Sequence, residues 1–394
     1  MKTNKKFRPT KVLKVFYKEQ PVGILAYAKN KKVAFEYDDE WIKNGFSISP
    51  YSLPLKKKVF FPSNWTFGGL FGVFADSLPD EWGNTLVNKI LEKKGIEVEN
   101  LNPLDKLLLV GNSGMGALAY RSEKKKTPEE AALPFEDEVD LDKLAEECDK
   151  ILGAEEIDNV EEIYQLSRHI GGERPKISMR DEETEWIVKF YGNGDTKDSG
   201  REEYDYFLCA RTCGINMTEK RLFASEEGKG YFGIERFDRT FYRGKIEKCH
   251  VITAAALLEA DYKQQSLDYH DLMKLTIKLT DSNMEDVEDM FRRMCFNVYA
   301  HNRNDHAKNF TFIYNEETGK WNLSPAYDLT YSRSEFGGHT TTVNGNGEEP
   351  TDEDILQVGR DAGLNLDMCQ EIMDEVKSCV ERMLGKFLVE AQEE

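Results

Sequence analysis

Between His301 and Tyr331 the chain reads HNRNDHAKNFTFIYNEETGKWNLSPAYDLTY. Asn304, Asp305, His306 and Lys308 put an amide, a carboxylate, an imidazole and an ammonium group within five residues. Asn309 follows, and the lone acid Asp328 comes nineteen residues later. Asn309 and Asp328 supply two oxygen ligands of the kind a hard divalent cation takes. Mg²⁺ commonly binds one or two protein oxygens and leaves its other positions to water and substrate phosphates. The segment between them reads as strand, turn, strand. Phe310 to Tyr314 is apolar-rich, Glu316 to Lys320 is a turn with Gly319, and Trp321 to Leu323 resumes. A hairpin returns its two ends to each other, and with them the two ligands. The plainer reading of the same residues is a polar loop between a core helix and a hairpin.

A catalytic loop with an Asp, an Asn five positions later, a hairpin and then a metal-binding Asp is the order used by protein kinases. Elements upstream bear on that reading. Gly171 and Gly172 lead into a strand at Lys176 to Met179, a turn at Asp181 to Thr184, and a strand at Trp186 to Tyr191. Lys189 lies inside that second strand, in W-I-V-K-F. A lysine in an apolar strand must leave by an edge or meet an anion. A glycine-rich hairpin followed by a strand lysine is how kinases cover phosphates, and it differs from the strand-to-helix P-loop. Residues 201–214 form an amphipathic helix ending at Gly214, with Glu202 and Glu203 in its first turn. Those acids either complement the helix dipole or reach Lys189. Strands at 220–224 and 230–238 end in E-R-F, a sequence suited to a hinge against adenine, or to ordinary surface charges.

The elements that must position these groups follow from periodicity. Residues 11–37 alternate as antiparallel strands split at Pro21-Val22-Gly23 and Lys29 to Lys32, with a further short β run at Lys58 to Phe61. Phe67 to Lys89 opens with glycines 68, 69 and 72 and turns helical after the start residues Asp76, Ser77 and Asp80. The lysine and serine of a P-loop are missing there, so those glycines read as packing. A short buried helix at 104–110 passes through Gly111, Gly114 and Gly116 into a strand. Residues 122–162 are charged and read as a linker plus a solvated helix. From Thr253 the chain is mainly helical, and it returns to helices at 351–392.

Composition bounds the partners. The 394 residues carry a net charge of −19, with 40% hydrophobic and 32% charged residues. That suits a soluble protein of two domains or two lobes and argues against a broad nucleic-acid face. The basic N-terminus lacks the apolar region of a secretory signal, and no apolar run reaches membrane-spanning length. Seven scattered cysteines, an odd number, fit a reducing cytoplasm. Cys209 and Cys213, four apart on a helix, read as core packing.

Together these motifs resemble the HipA-like toxin kinases, the serine/threonine kinases of bacterial toxin–antitoxin modules. FADSLPDEWGN and LLLVGNSGMGALAY are similar to that family's N-terminal domain. GGERPK resembles its glycine-rich loop, IVKF its ATP lysine strand, IERFDR its hinge, and HAKNF with PAYDL its catalytic and metal-binding motifs. The resemblance covers nearly the full length. It implies an α+β fold: a compact, protein-kinase-like two-lobe fold with a β-rich small lobe, an α-helical large lobe and an added N-terminal β-rich domain. The divisions it implies are 1–125 for the N-terminal domain, 126–160 for an acidic linker and helix, and 161–394 for the kinase domain.

By the same resemblance, ATP and Mg²⁺ are the cofactors. Gly171, Gly172 and Lys176 would cover the phosphates and Lys189 would bind them. Glu203 would partner Lys189. Glu235 and Phe237 would flank adenine, His306 and Lys308 would line the phosphate site, and Asn309 and Asp328 would hold Mg²⁺. A small helix-turn-helix antitoxin of the HipB type is the implied partner, with DNA reached only through it. The implied substrate is a protein, for some members an aminoacyl-tRNA synthetase, and the implied compartment is the cytoplasm.

Two departures stand out. The family usually has an acid five residues before the Asn, where this chain has Asn304, with Asp305 one residue off. An amide cannot accept a hydroxyl proton as a carboxylate does. A kinase impaired at its base, a pseudokinase that binds nucleotide and a regulator, and an engineered inactive form all fit that residue. A metal-dependent phosphohydrolase would want more clustered acids or histidines than this loop offers. Second, His169 stands where some members carry a self-phosphorylated serine.

Overall fold

The structure, a computed structural model, describes residues 8–123, 133–134, 139–155, 157–167, 171–180, 183–265, 267–332 and 337–393. His169, most of the predicted linker and part of the Asp181 to Thr184 turn lie outside these residues. The chain divides into two compact units. One comprises residues 1–196, 225–227 and 238–250, and the other the remainder.

In the first unit, Val12–Tyr17, Gln20–Tyr27, Val33–Tyr37 and Leu118–Arg121 form an antiparallel sheet. Its order is third, second, first, fourth. The period-2 pattern sets its faces: Leu13, Val15 and Tyr17 are buried while Val12 is exposed. The first turn falls at Lys18-Glu19, whose φ values of 44° and 68° are those of a tight hairpin turn. The predicted break at Pro21 is therefore misplaced. Pro21 lies inside the second strand opposite Phe16, where the register shifts, and an irregular site tolerates its missing N–H. The predicted run at Lys58 to Phe61 is not a strand. It makes one bridge, Phe60 to Phe35, because Pro62 follows and Val59 and Phe61 face solvent.

The helix Pro103–Val110 begins with a capping box between Asn102 and Asp105 and has proline in its first turn. Helices Glu81–Lys93, Leu141–Leu152 and Val160–Ser167 belong to this unit. The last of them was not foreseen. So do the hairpin Lys176–Arg180 with Glu185–Lys189, and an unforeseen hairpin Arg239–Tyr242 with Lys245–Lys248.

The second unit holds the helix Ser199–Thr212 and the hairpin Lys220–Phe223 with Tyr231–Glu235. It also holds a three-stranded antiparallel sheet in the order Val251–Thr253, Thr311–Asn315, Lys320–Leu323. Helices Tyr269–Leu279, Met284–Tyr299, Asp352–Asp361 and Leu366–Glu393 are its longer helices after that sheet begins. Leu272, Leu275 and Leu279 recur at helical spacing and pack inward with Met290, Phe291 and Met294. Each such side chain contributes about 1.5–3 kcal/mol by leaving water. No helix among the described residues is long and apolar enough to cross a membrane.

Candidate functional site

The predicted hairpin forms, and it closes. Ser324 N donates to Thr311 O at 2.8 Å, so the ladder runs to its open end. Tyr327 Oη then donates to Lys308 O at 2.5 Å and lies 2.6 Å from Thr311 Oγ1. Asn302 Nδ2 reaches Asp328 O at 3.4 Å. Arg293, fully buried in its helix, pairs with Asp289 and donates to Ser324 O at 2.5 Å, fixing the strand end just before PAYDL. The stretch carrying Asp328 is thus tied to the loop carrying Asn304 to Asn309. Asp328 itself has φ 52°, the left-handed region an L-residue enters only when its surroundings require it.

Asn309 ends a short 3₁₀ turn, Ala307–Asn309. Its Nδ2 donates to Asn304 O at 2.9 Å, which identifies the nitrogen end of the amide and leaves Oδ1 as the end available to a cation. With the Asp328 carboxylate this is a hard, all-oxygen donor pair. It fits Mg²⁺, which takes few protein ligands.

Asn304 and Asp305 part ways. Asp305 is fully buried, and four donors take up its carboxylate. Thr340 N and Thr341 N reach Oδ1 at 2.9 and 3.2 Å, while Tyr269 Oη and His339 Nδ1 reach Oδ2 at 2.9 and 3.0 Å. Tyr269 in turn accepts from Asn297 Nδ2 at 2.8 Å, so its own proton must go to Asp305. Burial, with Asp305 beside it, pushes the Tyr269 phenol well above its ordinary pKa. Asp305 is therefore a lock between the loop and the segment around His339, with no oxygen left for a substrate. Asn304 is half-buried, and its side chain has no hydrogen-bond partner among the described residues.

Tyr262, which the sequence reading passed over, organises the other loop residues. His306 stands edge-on to its ring at 5.3 Å, and Lys308 Nζ lies 4.7 Å from its centroid. At the predicted hinge, Glu235 N donates to Glu219 O at 2.9 Å, and Glu235 O accepts from Thr218 Oγ1 at 2.8 Å. Phe237 stacks on Tyr327 with centroids 5.2 Å apart. Its main-chain N–H and C=O have no hydrogen-bond partner among the described residues. Of the two helix acids, Glu203 is buried at 3% exposure and Glu202 is half-buried. Cys209 and Cys213 pack with Cys379, and the hydrogen bond with the Cys209 thiol, together with burial, raises the pKa of Cys213.

In the first unit, Lys176 and Lys189 are direct cross-strand partners and so share one face of their hairpin. Like charges placed opposite each other are unfavourable unless an anion lies between them or each is separately engaged. Lys176 is buried, and its Nζ donates to Gly171 O at 2.6 Å. Lys189 is half-buried at the strand end.

A β-rich unit with a glycine loop and paired lysines, and an α-rich unit with a closed Asn-to-Asp hairpin, make a kinase-like α+β fold. Residues 13–121 match the HipA N-terminal domain and residues 168–384 the HipA-like C-terminal domain. The chain belongs to the HipA family. It is 23% identical over 346 residues to Y4mE of Sinorhizobium fredii, named as a candidate kinase, covering 81% of this chain and 77% of that one. A Haemophilus influenzae protein, also named as a candidate kinase, is 25% identical over 183 residues, 42% of this chain and 53% of its own. In fold the chain matches HipA from the Shewanella oneidensis MR-1 complex of HipA, HipB and operator DNA. The TM-score is 0.68 at 17% identity, over 96% of this chain and 91% of that one.

Proposed function

We propose that this chain is a kinase that binds Mg²⁺ and ATP, phosphorylates serine or threonine in a protein, and serves as the toxin of a toxin–antitoxin module. The observation that carries the reading is the closed hairpin, which ties the Asp328 stretch to the loop where Asn309 holds its amide oxygen free. In this reading Asn309 and Asp328 hold Mg²⁺, which when bound supplies positive charge against the β- and γ-phosphate oxygens. Lys189 is the phosphate-binding lysine of the first unit, and His306 and Lys308 are the phosphate-lining residues of the second; the pairing of Glu203 with Lys189 rests on the family resemblance. Phe237 offers its unpaired main-chain groups to adenine and Glu235 shapes the hinge. Asn304 orients the acceptor hydroxyl by hydrogen bonding but does not accept its proton.

Family membership and the HipB-bound structural relative support a small helix-turn-helix antitoxin as partner, through which DNA would be reached. An aminoacyl-tRNA synthetase as substrate, and the cytoplasm as compartment, rest on the family resemblance. A second reading, a pseudokinase that binds nucleotide without transfer, is favoured by Asn304 alone.

Calorimetry tests the binding. Lys189→Ala is expected to weaken Mg-ATP binding roughly tenfold or more, the worth of a charge-assisted contact to phosphate. Asp328→Ala is expected to abolish the Mg²⁺ dependence. Equal ATP affinity in wild type and Lys189→Ala removes the phosphate assignment, and persisting Mg²⁺ dependence moves the metal site elsewhere.

A further inference from the structure

We propose that Asp80 is a positioning residue for the glycine-rich loop, holding one of its peptide groups from the start of the helix Glu81–Lys93. The proposal rests on the reading of that loop as the element covering the phosphates.

Asp80 occupies the N-cap position of its helix, where an aspartate ordinarily accepts from the second or third N–H of the first turn. It makes no such bond. Its Oδ2 instead accepts the N–H of Gly172 at 2.9 Å, across 92 residues of sequence. The same peptide group is held at its other end, because Gly171 O accepts from Lys176 Nζ at 2.6 Å. A carboxylate on the N–H and an ammonium on the C=O match both ends of the peptide dipole. Such charge-assisted bonds are roughly twice as strong as neutral ones.

This grip fixes the one thing a Gly-Gly step leaves loose. Peptide planes between glycines rotate at little steric cost, and a loop that must settle over phosphates loses that freedom on binding. The two glycines are also what the grip requires. A Cβ on Gly171 would lie 2.9 Å from Asp80 Oδ2, and one on Gly172 would lie 2.2 Å from Lys176 Nζ. Gly172 also has φ 106°, which L side chains rarely adopt. Lys176 faces Lys189 across the hairpin, so the held peptide also anchors one member of the cationic pair. Asp80 thus sets the loop before nucleotide arrives, and it acts through the loop without touching phosphate.

The test uses the full chain as wild type, Asp80→Ala, Asp80→Asn, Gly171→Ala and the Asp80→Ala/Gly171→Ala double variant. Hydrogen exchange is read over residues 171–180 and Mg-ATP affinity by calorimetry. Both single alanine variants are expected to speed exchange in the loop and to weaken Mg-ATP roughly tenfold, the worth of one charge-assisted bond. The double variant is expected to be no weaker than either single, because both break one contact. Asp80→Asn keeps a neutral acceptor and is expected to fall between. Unchanged loop exchange and affinity in Asp80→Ala overturn the proposal, as do losses that add in the double variant. Where Asp80→Ala also loosens the helix Glu81–Lys93, Gly171→Ala decides, since it breaks the contact from the loop side. A wild type that does not bind Mg-ATP removes the kinase reading, while loop exchange still decides whether Asp80 holds the loop.

Discussion

Two neighbouring residues, Asn304 and Asp305, split between them the features a catalytic base combines: one has an unengaged side chain, the other the carboxylate. Transfer to a hydroxyl needs that proton accepted as the bond to phosphorus forms. Asp305 is unsuited, being enclosed by Thr340, Thr341, His339 and Tyr269. Asn304 has the freedom but not the chemistry. Asn304→Asp is therefore expected to raise phosphoryl transfer by roughly two to four orders of magnitude, the usual worth of a general base. ATP affinity should change little, because the proposed Mg²⁺ ligands are Asn309 and Asp328 and not Asn304. Asp305→Asn should behave differently. Its Nδ2 would meet donors from His339 and Tyr269, so global stability should fall by about 2–5 kcal/mol. A radiolabelled transfer assay and a denaturant melt on both variants separate these outcomes. Activity lost in Asp305→Asn with an unchanged melt would return the base role to Asp305. Transfer absent from Asn304→Asp while ATP still binds would favour the pseudokinase.

At the scale of elements, caps and hairpins hold the loops in place. The helix Asp352–Asp361 begins with a capping box in which Thr351 and Asp354 satisfy each other's backbone N–H groups. The Thr351 N–H, then the Asn344, Thr351 and Asn346 side chains, pull the Asp354 pKa down to about 2. A carboxyl lowered in the folded state stabilises above its unfolded pKa, so its contribution should be full above 3.8 and lost as pH falls toward 2. Asp354→Ala should cost about 1 kcal/mol at neutral pH and flatten part of the acid limb of a stability-against-pH curve. An unchanged acid limb would show that this box adds no pH-dependent stability. Elements of this kind are legible when their signals are local. The apolar run at 104–110 announced a buried helix, and the apolar runs around Gly319 announced the hairpin that joins Asn309 to Asp328. What escaped depends on distant residues. The lock on Asp305 comes from His339 to Thr341, and the grip on Gly172 comes from Asp80. Tyr262 sits in a polar stretch with no period to mark it. The hairpin at 239–248 turns at Arg243-Gly244 between half-exposed strands, so it lacks the alternation that marks a sheet face.

For the molecule as a whole the governing quantity is its charge. DNA binding gains most of its affinity from lysines and arginines that replace counterions on phosphates, and the gain falls steeply with salt. A chain with net charge −19 starts with that balance against it. The proposed division of labour follows: this chain supplies the phosphotransfer machinery, and a small helix-turn-helix partner supplies the DNA contacts. Alone, the chain should show no binding to duplex DNA by fluorescence anisotropy at about 0.15 M salt, where charges farther apart than roughly 8 Å are screened. Co-expressed with a helix-turn-helix protein encoded beside it, the chain should co-purify, and the complex should bind DNA with an affinity that drops sharply as salt rises. Asn304→Asp should slow growth when expressed alone, and co-expression of the partner should relieve it. Steep, salt-dependent DNA binding by the chain alone would mean that its acidic total hides a basic face, and the partner would no longer be needed to explain DNA contact. If no complex forms and co-expression does nothing for growth, the kinase reading stands on its own residues and the toxin–antitoxin role falls.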